Sequence, residues 1–246
     1  MAERPVFIPA TEDEGYVRRL DFEIPWAGGF AEVQKKKNIR SLHEAAKKAG
    51  YAPLLEVSSK SDEVAGQHLS AFHLRVRTSI GEIPLENAFQ GSKVFERGGP
   101  YTDLYEVEPR DAKREPRLRE SGALVGFKFD GFEFPLEPTT VFYDWLYLNA
   151  IFPHRVWLKN RVDGEMRYAG FTDIEFNPTK SVNCQAKTCA LFVVLMRENK
   201  LERYLKTPEV FIAAMAAHSL RPTEHQPHLK QARLRVGQQA VAQFIR

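Results

Sequence analysis

Glu86, Gln90 and Lys93 fall within one run, "IPLENAFQGSKVFERGGPYTDLY", residues 83 to 105. A carboxyl group can give or take a proton in a reaction, and a lysine amine attacks an aldehyde-like carbon once burial or nearby cations keep it neutral. The two groups also conflict, because an ionised Glu86 favours the charged ammonium. Either Glu86 acts as the protonated acid, or the amine comes instead from the basic run Lys35, Lys36 and Lys37. At about 100° per residue along a helix, Gln90 lies about 40° and Lys93 about 20° from Glu86, so the three share a stripe. Leu85, Phe89 and Ser92 hold the adjoining face, which puts that stripe at the margin of the buried surface, where pockets form. A solvated face carrying ordinary charges has the same spacing.

The elements that must position these residues follow from pattern. "VRRLDFEIPW" (17 to 26) alternates as a strand, and residues 29 to 50 read as a strongly basic helix closed by a glycine. A strand within "APLLEVSSKS", a polar loop and a hairpin turning near Ser79 to Gly81 then feed the helix of the polar stripe. Pro84 stands at the start of that helix, and Gly98-Gly99-Pro100 is expected to end it. "PRDAKREPRLRESG" reads as a solvated helical segment, and "LVGFKFDGFEFPLE" as two strands around Asp130-Gly131. Residues 139 to 152 are apolar nearly all round, a buried helix whose aromatics serve the core first and a ligand second. An irregular polar segment from 171 becomes a helix around Cys184, and "TPEVFIAAMAAHS" adds another with Thr207 as N-cap and Pro208 first. These patterns predict an α+β fold, mainly helical with short strands and hairpins: an N-terminal extension (1–14), one catalytic or binding domain (15–215) and a basic tail (216–246).

Composition narrows the function. The chain has 246 residues, and 35 Lys plus Arg against 32 Asp plus Glu leave only +3, so nothing in the total calls for a polyanionic partner. From Ser219 onward five basic residues face one acidic residue, which accounts for the whole excess. No signal-peptide-like run and no stretch near the ~20 apolar residues of a membrane span is present, so a cytoplasmic protein without membrane contact is expected. Cys184 and Cys189 have no companion pair and read as reduced and structural, and the seven histidines are scattered. No metal and no cofactor are expected.

With these residues laid out, "ENAFQGSKVF" resembles the first motif of the NADAR superfamily, the YbiA-like N-glycosidases, and "FTDIEFNP" with "LFVVLMREN" resembles its second motif and closing helix. "FQGSKVFERGGPYTDLYEVEPRDAKR" and "FTDIEFNPTKSVNCQA" are similar to one branch, the NADAR antitoxins paired with guanine-specific DarT toxins. The resemblance covers about residues 20 to 210 and is specific in the two motifs. It implies a NADAR/YbiA-like single domain that removes ADP-ribose from guanine bases of DNA by cleaving the ribose–base bond, reversing a DarT-type toxin. The essential glutamate of the family falls on Glu86, and the lysine proposed to form a Schiff base with the sugar falls on Lys93. Where many members carry a glycine-rich helix entry, this chain has "TKSVNCQAKTC", so the family's asparagine is replaced by Asn183 or Lys187.

An ADP-ribose site also needs phosphate donors and a base slot. Lys37 and Arg40 are candidates for the diphosphate, as are the backbone amides of Gly98 and Gly99. Tyr101 and Asp103 are candidates for the ribose, and Asp173, Glu175 and Asn177 for the ligand from a strand end. Asn183 and Gln185 either read guanine edges or cap the helix, capping being the cheaper explanation. Modified guanine must be single-stranded or flipped, and its phosphates would meet the basic helix and the tail. Two rival readings are an N-glycosidase on a riboflavin-pathway type of ribosylated small molecule, and a non-catalytic antitoxin that binds modified DNA or the toxin. A third is a structural domain whose Glu86 to Lys93 stripe is a surface ion pair.

Overall fold

The computed structural model describes residues 1–162 and 168–219. In chain order the regular elements begin with β1 (Ala2–Pro9), β2 (Val17–Ile24), α1 (Glu32–Lys48), β3 (Leu54–Glu56) and α2 (Val64–His68). The hairpin β4 (Arg75–Thr78) and β5 (Gly81–Pro84) leads into α3 (Leu85–Gly91), β6 (Lys93–Phe95), α4 (Pro109–Arg114) and α5 (Arg117–Glu120). Then come β7 (Leu124–Phe129), β8 (Phe132–Phe134), α6 (Val141–Ile151), α7 (Arg155–Val162), β9 (Gly170–Thr172), α8 (Gln185–Arg197), α9 (Leu201–Tyr204) and α10 (Pro208–Ser219). Helices and three small sheets make this an α+β arrangement.

The largest sheet runs β2-β1-β9-β3, with β1 antiparallel to both neighbours and β3 parallel to β9. Strand alternation sorts its two faces. Val6, Ile8, Ile24 and Leu54 pack with Leu42 and Ala46 of α1. Phe7, Leu55 and Phe171 turn the other way, into the main core with α6 and α8. Residues 2–9, expected to lie in an extension, thus form an inner strand of this sheet. The expected basic tail lies outside the described residues from position 220 onward.

α6 is buried all round, with Phe142, Leu146, Tyr147 and Ile151 almost inaccessible. Its one buried charge, Asp144, accepts hydrogen bonds from Thr188 Oγ1 (2.5 Å) and Thr140 Oγ1 (2.6 Å), and Lys187 Nζ lies 3.2 Å away. This network ties the first turn of α6 to the first turn of α8. Removing one partner of a buried pair strands the others, so Asp144→Ala is expected to cost about 3 kcal/mol, read as a lowered urea midpoint with unchanged slope.

The helix of the polar stripe is shorter than its pattern. α3 ends at Gly91, and Lys93 begins β6, which pairs with β7 through Lys93↔Phe127 and Val94↔Gly126. Long-range contacts end it. A Cβ on Gly91 would stand 2.6 Å from the Tyr105 ring and 2.9 Å from the Tyr101 carbonyl, so only glycine permits this approach. The Ser92 carbonyl accepts from Lys128 N–H (2.8 Å), and its hydroxyl pairs with Tyr105 (2.9 Å). Gly98 and Gly99 therefore do not stop a helix. They close the reversal after β6, where Phe95 N–H donates to Gly98 O at 2.7 Å and Gly99 has a φ of +85°.

Candidate active site

Lys93 reaches Glu86 by way of Gln90, not by direct contact. Gln90 Nε2 donates to Glu86 Oε1 at 2.8 Å, and Lys93 Nζ donates to Gln90 Oε1 at 2.6 Å. The amide takes both contacts because its two ends have opposite polarity. Lys93 Nζ also sits 4.9 Å from the centre of the Phe89 ring, itself packed against Phe127 (5.6 Å) and edge-on to Tyr143 (5.5 Å). Burial pushes the Lys93 amine down to about 8; Glu86 opposes this shift and Lys113 adds to it. Desolvation outweighs the carboxylate, which resolves the conflict between the two groups. About a tenth of the amine is then neutral at pH 7.

The alternative amines are differently placed. Lys35 pairs with Glu175 at 3.0 Å, and Lys36 with Asp62 at 3.0 Å and Glu32 at 3.2 Å. Hydrogen bonds to Asp62 and Glu32 raise the Lys36 ammonium, the opposite of what a nucleophile needs. Lys37 and Arg40 lie on the exposed face of α1, with Arg40 3.9 Å from Asp62.

The second motif meets this cluster through Tyr143. Burial pushes its hydroxyl well above its usual range, and the charges of Asp173 and Glu86 act in the same direction. Among the described residues that hydroxyl has no hydrogen-bond partner, and the charges of both Glu86 and Asp173 reach it. Asp173 follows β9 and is buried, its Oδ1 accepting Glu175 N–H (3.0 Å) and Phe176 N–H (3.3 Å). Its neighbour Glu56 is buried too and accepts from Ser58 Oγ (2.7 Å), Thr172 Oγ1 (2.7 Å) and Ile174 N–H (2.9 Å). Burial raises both carboxyls, Asp173 well above its usual range with the neighbouring Glu56 charge adding to the shift, so Asp173 is the one held protonated. Thr172 gives its only proton to Glu56, so the His43 Nε2 found 2.9 Å away donates to Thr172. Burial holds that ring neutral, lowered to about 4.

Between the usual value of 3.8 and the raised folded value, the unfolded chain has lost the Asp173 proton and the folded chain keeps it. Stability contributed by this proton is therefore present at low pH and lost as pH rises through the folded value. Asp173→Asn keeps the Oδ1 acceptor without the titration. Its urea midpoint is expected to change less between pH 5 and pH 8 than that of the wild type.

The other predicted site residues divide into several groups. Tyr101 pairs with Ser121 (2.5 Å) under the Arg117 guanidinium, which lies 4.5 Å from its ring centre and clasps Asp103 (2.5 Å) and Glu115 (2.8 Å). Gly98 makes room for the Tyr101 hydroxyl, and Gly99 lies against the Lys93 carbonyl, so the reversal backs the lysine from behind. Asn177 Oδ1 closes a turn by accepting from Thr179 N–H (3.0 Å) and Oγ1 (2.8 Å). Asn183 and Gln185 do not cap α8, whose N-cap is Cys184. Gln185 Oε1 accepts Ala71 N–H from across the fold (2.8 Å), a contact stronger than capping because the backbone donor is otherwise unpaired there. Asn183 has no side-chain partner among the described residues, whereas Lys187 is engaged by Thr140 and Asp144.

Three contributors had no sequence signal. Nothing in the local pattern singles out Glu56 within its short strand, and Lys113 reads as part of a solvated helix. Its Nζ nevertheless stands 4.0 Å from Glu86 Oε1. Tyr143 is marked only as an aromatic of a buried helix.

Among the described residues no helix is long and apolar enough to cross a membrane. No curated protein matches the chain. The family model for the DarT1-associated NADAR antitoxin matches residues 2–225. A match over that span shows that the chain belongs to the DarT1-associated NADAR antitoxin family.

Proposed function

We propose that this antitoxin is an ADP-ribosyl-guanine glycohydrolase that frees guanine in DNA of the ADP-ribose placed there by its DarT-type toxin. The observation that carries this reading is the Lys93 amine, lowered to about 8 by burial and separated from Glu86 by one glutamine. The neutral amine attacks the anomeric carbon, and the bond to guanine breaks with its electron pair leaving on the base nitrogen, which takes up a proton. Loss of the amine protons and opening of the ribose ring give an imine. Water then adds to it, releasing ADP-ribose and restoring the amine. Glu86 moves protons in these steps, and the protonated Asp173 and the Tyr143 hydroxyl border the same space as donors.

Asn183 takes the place of the family's asparagine in this reading, because its amide is unengaged while Lys187 is held by Asp144. The domain is taken as 15–215 together with the strand at 2–9. Lys37, Arg40, Gly98, Gly99, Tyr101, Asp103, Glu175 and Asn177 remain the candidates for the phosphates and riboses.

The test is release of ADP-ribose from an oligonucleotide carrying ADP-ribosylated guanine, with and without borohydride. Release, together with a borohydride-trapped adduct on Lys93, is expected. Protection of toxin-bearing cells by a protein that releases nothing would instead establish a binding antitoxin.

A further inference from the structure

Glu56 is only 3% exposed, yet no step of the proposed reaction uses it. Strand alternation turns it, with Leu54, toward α1, while Leu55 enters the main core. A carboxyl buried in this way needs donors, and β9 with the loop after it supplies them. Thr172 Oγ1 donates to Glu56 Oε2 at 2.7 Å, and Ile174 N–H donates to Oε1 at 2.9 Å. Those two residues flank Asp173 in the chain. Ser58 Oγ gives Oε1 a further donor at 2.7 Å, and the main chain adds Val57 N–H to Thr172 O, also at 2.7 Å. A Cβ on Gly66 of α2 would collide with the Glu56 carbonyl, so α2 closes directly against this strand.

Glu56 also sets the direction of a hydrogen-bonded chain. With three donors turned to it, the carboxylate only accepts, so Thr172 spends its proton there and His43 Nε2 must donate to Thr172. His43 stands on α1 and forms the outer end of this chain. At the inner end, Asp173 accepts Glu175 N–H and Phe176 N–H and is hydrogen-bonded by the Gln185 side chain. Tyr143 and Tyr147 of α6, Cys184 at the N-cap of α8 and Cys189 within it also feel its charge. Burial raises all four, so none of them is ionised at neutral pH. Glu175 is paired with Lys35, and Lys187 with Asp144. Among these groups Glu56 is the unpaired charge beside Asp173.

We propose that Glu56 is a positioning residue for Asp173: it pins the backbone on both sides of that aspartate and places the one unpaired anion against its carboxyl. Its effect on turnover rests on the proposed function; the clamp and the direction of the chain to His43 do not. Burial is the first cause that keeps the Asp173 proton, and the Glu56 charge adds to it. Without that charge the carboxyl gives up its proton at lower pH.

The test begins with Glu56→Gln, which separates charge from shape. Ile174 N–H can only donate, so the amide oxygen must stay at the place of Oε1, and the amide nitrogen is forced against Thr172. Thr172 then accepts, its proton turns to His43, and the proton of that ring moves from Nε2 to Nδ1. Proton–nitrogen correlation spectra of the full chain are expected to show Nε2 protonated in the wild type and bare in the variant. The Asp173 carboxyl carbon, followed in an NMR titration, is expected to lose its proton at lower pH in the variant. The falling limb of the pH–rate profile for ADP-ribose release moves with it, while the amine limb stays near 8. Glu56→Asp keeps the charge but is one methylene too short to span Thr172 and Ile174. Its kcat is expected to fall about a hundredfold with KM unchanged. A bare His43 Nε2 in the wild type, an Asp173 titration unmoved in Glu56→Gln, or a wild-type kcat in Glu56→Asp would each overturn the assignment. A wild type that releases no ADP-ribose would overturn the glycohydrolase reading instead, with the His43 and Asp173 signals still deciding for or against the clamp.

Discussion

Lys93→Met is expected to abolish the borohydride-trapped adduct, cut ADP-ribose release about a thousandfold or more, and raise the thermal midpoint of the protein. The two effects have one origin. A nucleophilic amine must be poorly solvated, and the same burial that lowers Lys93 to about 8 makes its ammonium a liability at neutral pH. The folded value lies below the unfolded 10.5, so the unfolded chain binds the extra proton between the two. Stability therefore rises with pH across that window, and below about 8 the full cost, about 3 kcal/mol, is present. Methionine keeps the stem against Phe89 and removes the charge, at the expense of the Gln90 contact, worth about 1 kcal/mol. The net gain is about 1–2 kcal/mol, a rise of about 3–6 °C. Hydrolysis at the wild-type rate would move the nucleophile to another residue. A lowered midpoint would show that the ammonium is well accommodated where it is.

Glu86→Gln carries the second large effect, a loss of about 10²–10⁴ in single-turnover rate. The substitution is nearly isosteric, and its Oε1 still accepts from Gln90, so the fold is expected to melt within a degree or two of the wild type. Removing the negative charge also takes away what favours protonation of Lys93, so the amine should titrate below about 8 in the variant. A pH–rate profile of the residual activity then has its amine limb displaced toward acid. Wild-type rates in this variant would reduce Glu86 to a structural partner of Gln90. Retained protection of cells without hydrolysis would favour a binding antitoxin.

Much of the fold was legible where local chemistry dictates it. Asp130-Gly131 turns β7 into β8 with both residues at positive φ, as that dipeptide demands. The apolar run of α6 and the Thr207-Pro208 start of α10 are likewise written locally. The reversal at residues 91–99 was not legible, because three residues, Lys93 to Phe95, are too few to display a period of two. Pairing with β7 and the approach of Tyr105 to Gly91 decided that segment, and both come from distant sequence. The candidate site shows the same division. Glu86, Gln90 and Lys93 meet as the spacing proposed, although a strand and not a helix carries the lysine. Glu56 and Gln185 depend on partners more than a hundred residues away, Ile174 and Ala71, which no local pattern announces.

The position of β9 in the main sheet bears on how the antitoxin is made. It is the last strand of that sheet in the chain, and it joins β1, at residues 2–9, to β3, at 54–56. A ribosome must therefore complete residue 172 before the sheet can close, and the loop that holds Asp173 emerges only then. Nascent chains arrested before β9 are expected to be digested throughout by a protease that spares the finished protein. Protection against the toxin thus arrives in a single late step of translation, whereas mRNA cleaved upstream of that point yields no partial antidote.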